Sequence, residues 1–189
     1  ARREARGRSA HELQHLIATE RRVLQQGASA DGMEEAWLAE GMAHLAEEVV
    51  GLRLEQLGVR GNLTYEQIGG SQEALDAFQA YHMENYFHLG LFLANPTGGA
   101  TLAESDPGGL EGLQVRGFAW FFLRWLGDQE GGGDERLLFR RLVDGGPNQL
   151  VGTENVESAT GRRWADLLAD FFATLPADDM ELDALDSRH

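Results

Sequence analysis

The chemistry this chain can do is concentrated in His11-Glu12-Leu13-Gln14-His15, an H-E-x-x-H stretch. On an α-helix, residues four apart lie about 40° apart around the axis and about 6 Å apart along it, so His11 and His15 face the same side. Their ring nitrogens can then meet on one ion through Zn–N bonds of ~2.0–2.1 Å. Glu12 lies beside the first histidine, outside the coordination sphere. It is placed to take a proton from a water that a metal has acidified toward a pKa of ~7. With 6 His and 19 Glu in the chain, chance gives roughly 0.02 such matches. The stretch therefore carries information, and the residues around it decide how much.

Catalytic zinc takes three protein ligands and keeps one position open. Glu40, within Trp37-Leu38-Ala39-Glu40-Gly41-Met42-Ala43, is the candidate third ligand. It would come from a second, antiparallel helix after a reversal at Gln26–Gly32. Helix-borne H-E-L-Q-H-L-I followed by W-L-A-E-G resembles the glutamate zincins (gluzincins), in particular the hyicolysin-like bacterial metallopeptidases. The resemblance implies that His11, His15 and Glu40 bind Zn2+ and that Glu12 is the general base. It further implies hydrolysis of a peptide or protein substrate, and a secreted or cell-envelope location. In such families a β-rich subdomain precedes the zinc helix, whereas Ala1–Ala10 already reads as that helix's first turns. The expectation is an all-α C-terminal catalytic subdomain of a zincin, lacking its N-terminal β-rich part.

One position departs from the pattern. An acidic residue often stands four residues after the glutamate ligand and orients the first histidine; here that residue is His44. Glu47 and Glu48, one turn on, are candidate substitutes, although as helix residues they also read as a solvated face. His44 itself reads as an orienting or core histidine rather than a fourth ligand. The departure keeps open a second function: an inactive zinc-binding relative acting as a partner-binding module.

A developing oxyanion needs the metal plus one more donor. Tyr81, His82, Tyr86, His88 and Arg116 are the candidates. The resemblance favours Arg116 by its place before Gly117, where related sequences often carry tyrosine. The plainer reading makes Tyr81 and Tyr86 amphipathic core residues, His82 and His88 surface residues, and Arg116 an ion-pair partner. A di-iron carboxylate bundle would use Glu12-x-x-His15 as half its signature, but a second E-x-x-H is missing and Glu84 to His88 has the wrong spacing.

The elements that must position these residues read as helices throughout. Helix one is expected from Arg3 to Gln26, stopped by Gly27, with Leu13, Leu16 and Ile17 half-burying the histidine face. Helix two is expected from Met33 to Leu57 with Asp31 as N-cap and Glu34 and Glu35 favouring its first turn. Residues 59–70 read as loop, and Ser71 caps a helix running to Ala94. A Gly/Pro-rich loop over 95–109 precedes a helix from Leu110 to Asp128. Shorter helices follow at 134–144 and 153–160, then one at 162–175 with Trp164, Leu167, Leu168, Phe171 and Phe172 inward. Residues 1–175 are taken as one helical subdomain and 176–189 as an acidic tail. The 189 residues carry a formal charge of −15 and no cysteine. That balance argues against nucleic acid and anionic membranes as partners, and disulfides and thiolate metal sites are excluded. No run of about 20 apolar residues is present to span a bilayer.

Overall fold

The computed structural model describes residues 2–29, 32–58, 63–99, 102, 109–132, 134–146 and 148–176, and where it folds regularly it is helical. Among the described residues there is no strand, so the all-α expectation holds. The helices are α1 (Arg2–Thr19), α2 (Ala36–Leu54), α3 (Tyr65–Gly69), α4 (Gln72–Tyr81), α5 (Met83–Ala94), α6 (Pro96–Gly99), α7 (Leu110–Glu130), α8 (Glu135–Asp144), α9 (Gly152–Thr160) and α10 (Trp164–Thr174). Among the described residues no helix is long and apolar enough to cross a membrane.

Several boundaries differ from the sequence expectation, each for a local reason. α1 widens after Thr19 into a π-helical segment, Glu20–Gln25, before Gly27 ends it at φ +70°. α2 starts at Ala36, three residues late, because Glu34 is drawn elsewhere. Its carboxylate accepts from Arg22 (2.6 Å), from the Gly152 N–H (2.6 Å) and from Asn155 (2.7 Å). The expected cap, Asp31, lies outside the described residues. Part of the 59–70 loop is α3, nucleated by a capping box: Thr64 Oγ1 accepts from the Gln67 N–H and Gln67 Oε1 accepts from the Thr64 N–H. Ser71 caps α4 as expected, accepting from the Ala74 N–H at 3.1 Å. The single helix expected over 71–94 breaks at His82 (φ −127°). The break lets two successive residues reach Gly51 of α2: a Cβ there would lie 2.5 Å from Tyr81 Cβ and 3.2 Å from His82 Nε2.

The chain forms two compact units, Ala1–Ile17 with Ala36–Leu123, and Ala18–Glu35 with Arg124–His189. In the first, Trp37, Leu38, Phe92, Phe118, Phe122 and Leu123 are buried. Phe92 meets Phe118 edge-on at 5.4 Å between ring centres. Two glycines set the helix spacing there. A Cβ on Gly41 of α2 would lie 2.8 Å from Ala119 Cβ on α7, and a Cβ on Gly117 of α7 would lie 2.1 Å from the His88 carbonyl oxygen on α5. Each glycine is the sequence neighbour of a candidate site residue, Glu40 and Arg116. In the second unit Leu126, Leu142, Leu167 and Phe171 form the core, and Trp125 meets Phe171 at 5.7 Å. Arg22 is fully buried there, donating to Glu34 and to the carbonyls of Gly32, Leu142, Val143 and Leu150.

Candidate metal centre

All the site residues belong to the first unit. α1 presents His11 and His15 one turn apart, their Nε2 atoms 3.2 Å from each other. α2 brings Glu40 against both: Oε2 lies 3.5 Å from His11 Nε2 and Oε1 lies 3.5 Å from His15 Nε2. Two ligand atoms on a tetrahedral zinc, each ~2.0–2.1 Å from it, sit about 3.4 Å apart. The three spacings are close to that value, each ring nitrogen meeting a different oxygen of the Glu40 carboxylate. Glu40 Oε2 is buried and takes no hydrogen bond; His11 Nε2 and the Arg116 guanidinium each face it at 3.5 Å. The donor set fits zinc.

The electrostatics point the same way. The carboxylates of Glu40 and then Glu47 raise the His11 pKa to about 9, against its burial. The His11 ring and then the Arg116 guanidinium hold Glu40 down at about 2. Without metal, the extra proton on His11 supplies the positive charge these carboxylates require.

Glu47 fills the role that the departure at His44 left open. Its Oε1 lies 2.8 Å from His11 Nδ1, and a carboxylate can only accept, so the ring donates. This fixes the tautomer that leaves Nε2 free to ligate. Burial opposes the Glu47 charge, yet the hydrogen bond from His11 and the facing His44 ring, 3.7 Å away, hold its pKa at about 2. Glu40, His44 and Glu47 follow one another at four and three residues along α2 and so share one face. Glu47 and Glu48 are both buried, not a solvated face, and Glu48 accepts from Trp120 Nε1 at 2.9 Å.

Glu12 is exposed on α1. Arg116 of α7 reaches the centre, its guanidinium 3.5 Å from Glu40 Oε2. The other proposed oxyanion donors sort differently. Tyr81 is core, as the plainer reading had it, but Tyr86 is 46 % exposed and meets Trp120 edge-on. His82 and His88 are not on the surface: both are buried. His82 stacks on Phe78, and burial lowers its pKa to about 4. His88 faces His44 with ring centres 5.4 Å apart. Burial first, then His44 and Arg116, lowers its pKa to about 4. Leu13, Leu16 and Ile17 are exposed, at 54, 65 and 42 %. The apolar stripe beside the histidines therefore does not bury them; α2 does that from the opposite side, through Glu40 and Glu47.

Comparison with family models, curated proteins and solved structures gives no match for this chain.

Proposed function

We propose that the chain is a zinc-dependent peptidase of the gluzincin type. The observation that carries this is the convergence of His11 Nε2 and His15 Nε2, 3.2 Å apart, on the Glu40 carboxylate, each 3.5 Å from one of its two oxygens. Zn2+ bound there would act as a Lewis acid, activating a water and polarising the scissile carbonyl. Glu12, exposed beside the first histidine, takes a proton from the attacking water and passes it to the leaving amine. Arg116 offers a guanidinium to the carbonyl oxygen as that oxygen gains charge. Glu47 keeps His11 turned toward the site. The gluzincin resemblance also supports a secreted or envelope location.

A second reading, a zinc-binding module without catalysis, draws on the exposed Leu13, Leu16 and Ile17 beside the motif, which resemble a partner-binding stripe. The Glu12→Gln variant separates the two. On the peptidase reading it keeps one zinc at this site while hydrolysis of an unfolded protein substrate falls by about 10²–10⁴-fold. Equal trace hydrolysis by both proteins favours the binding module.

A further inference from the structure

His11 has two ring nitrogens, and each faces a separate group of metal-type donors. Nε2 faces His15 and Glu40. Nδ1 faces Glu47, whose second oxygen lies 3.7 Å from His44 Nδ1. The His11 and His44 rings stand 5.0 Å apart at 79°. Donor atoms from His11, His44 and Glu47 all lie within 4.8 Å of one another.

The independent sign is at His44. It is 2 % exposed, and neither of its ring nitrogens has a hydrogen-bond partner. A buried imidazole with both nitrogens unsatisfied calls for an explanation, an ion or a water among them. The surroundings share the deficit. His88 Nδ1 and Asn85 Oδ1, one turn apart on α5, are also buried without partners, and Asn85 Nδ2 donates to the His44 carbonyl at 3.3 Å. The carboxylate of Glu47 makes the pocket favourable to a cation. Two imidazoles and one carboxylate suit zinc and its first-row neighbours rather than calcium or magnesium.

We propose that His11, His44 and Glu47 hold a second divalent cation of the zinc class, with the His11 imidazole shared between the two sites. The inference goes beyond the peptidase reading, since it adds an ion held by His44 and Glu47, which that reading does not use as ligands. On loading, the second cation replaces the Nδ1 proton of His11, which leaves to solvent, and the ring bridges as imidazolate. The inner ion ties α1 to α2 behind the outer site.

Native mass spectrometry of the metal-free chain titrated with Zn2+ reads the stoichiometry. The expected result is two zinc ions per chain in the wild type, one in His44→Asn and one in His15→Ala. One zinc in the wild type that His44→Asn retains overturns the inner site and leaves the peptidase reading standing. One zinc that His15→Ala retains and His44→Asn loses overturns the outer site, and with it both the peptidase reading and the shared ring. A measurement on the wild type alone covers the case in which His44→Asn fails to fold. Loaded with two equivalents of Cu2+, imidazolate-bridged ions couple, and the paramagnetic resonance signal integrates to well under half of two isolated ions. A signal that integrates to two isolated ions overturns the bridge.

Discussion

At the scale of the residue, the proposed centre would set a proton and a metal in competition for one imidazole. Because Glu40 and Glu47 raise the His11 pKa to about 9, the metal-free chain carries an extra proton on His11 at neutral pH. Uptake of the first zinc, between His11 Nε2, His15 and Glu40, is expected at pH 7.5 to release close to one proton from His11, falling toward none above pH 9. Calorimetry in buffers of differing ionisation enthalpy counts it. The same shift fixes a sign for stability without metal. A raised pKa contributes stability that is complete below the unfolded value of ~6.5 and is lost as pH rises through about 9. Urea unfolding of the metal-free chain should therefore show this contribution at pH 6 and not at pH 10. Glu40 and Glu47, held at about 2, act in the other direction: their contribution is present above the usual carboxylate range and is lost on acidification toward pH 2. Glu47→Gln is expected to weaken zinc binding by about 10–100-fold, the usual effect of removing a carboxylate behind a ligand histidine; competition with a chromophoric chelator measures it.

At the scale of the element, the centre depends on how closely α2, α5 and α7 approach. Gly117 permits α7 to reach the α5 backbone, where a Cβ would fall 2.1 Å from the His88 oxygen. Gly117→Ala must therefore push the two helices apart, since a backbone atom cannot step aside as a side-chain tip can. The expected cost is about 1–3 kcal/mol in chemical denaturation, the range for overpacked interiors. Displacement of Arg116, the preceding residue, should lower kcat as well. Gly41 acts likewise between α2 and α7, next to Glu40. The sequence carried most of the helices, the Ser71 cap and the shared side of His11 and His15, because 3.6-residue periodicity and a local motif encode them; Glu40 was named through the resemblance. It carried the break at His82 and the burial of His88 poorly. Both depend on Gly51 and Gly117 opening room on other helices, and nothing within α4 or α5 reports that. The role of Glu47 was half legible: its place seven residues after Glu40 puts it on the ligand face, but only the approach of α1 shows which nitrogen it meets. The exposure of Leu13, Leu16 and Ile17 shows the converse error, an apolar run read as buried when the neighbouring helix packs on the other side.

At the scale of the whole molecule, on the proposed peptidase reading, the charge of −15 sets which substrates would approach readily. Long-range attraction favours cationic peptides, and salt screens it over a Debye length of about 10 Å at 0.1 M. For an arginine-rich test peptide, kcat/KM should fall as ionic strength rises from 0.02 to about 0.5 M, while a neutral peptide of equal length changes little. Stopped assays over a salt series distinguish the two. The central claim, however, is local: one cation held by two imidazoles of α1 and a carboxylate of α2. Anomalous diffraction at the zinc edge from crystals of the zinc-loaded chain tests it most directly. The account expects a peak within ~2.2 Å of His11 Nε2, His15 Nε2 and a Glu40 oxygen. A zinc-loaded crystal with no peak between those three atoms would contradict it.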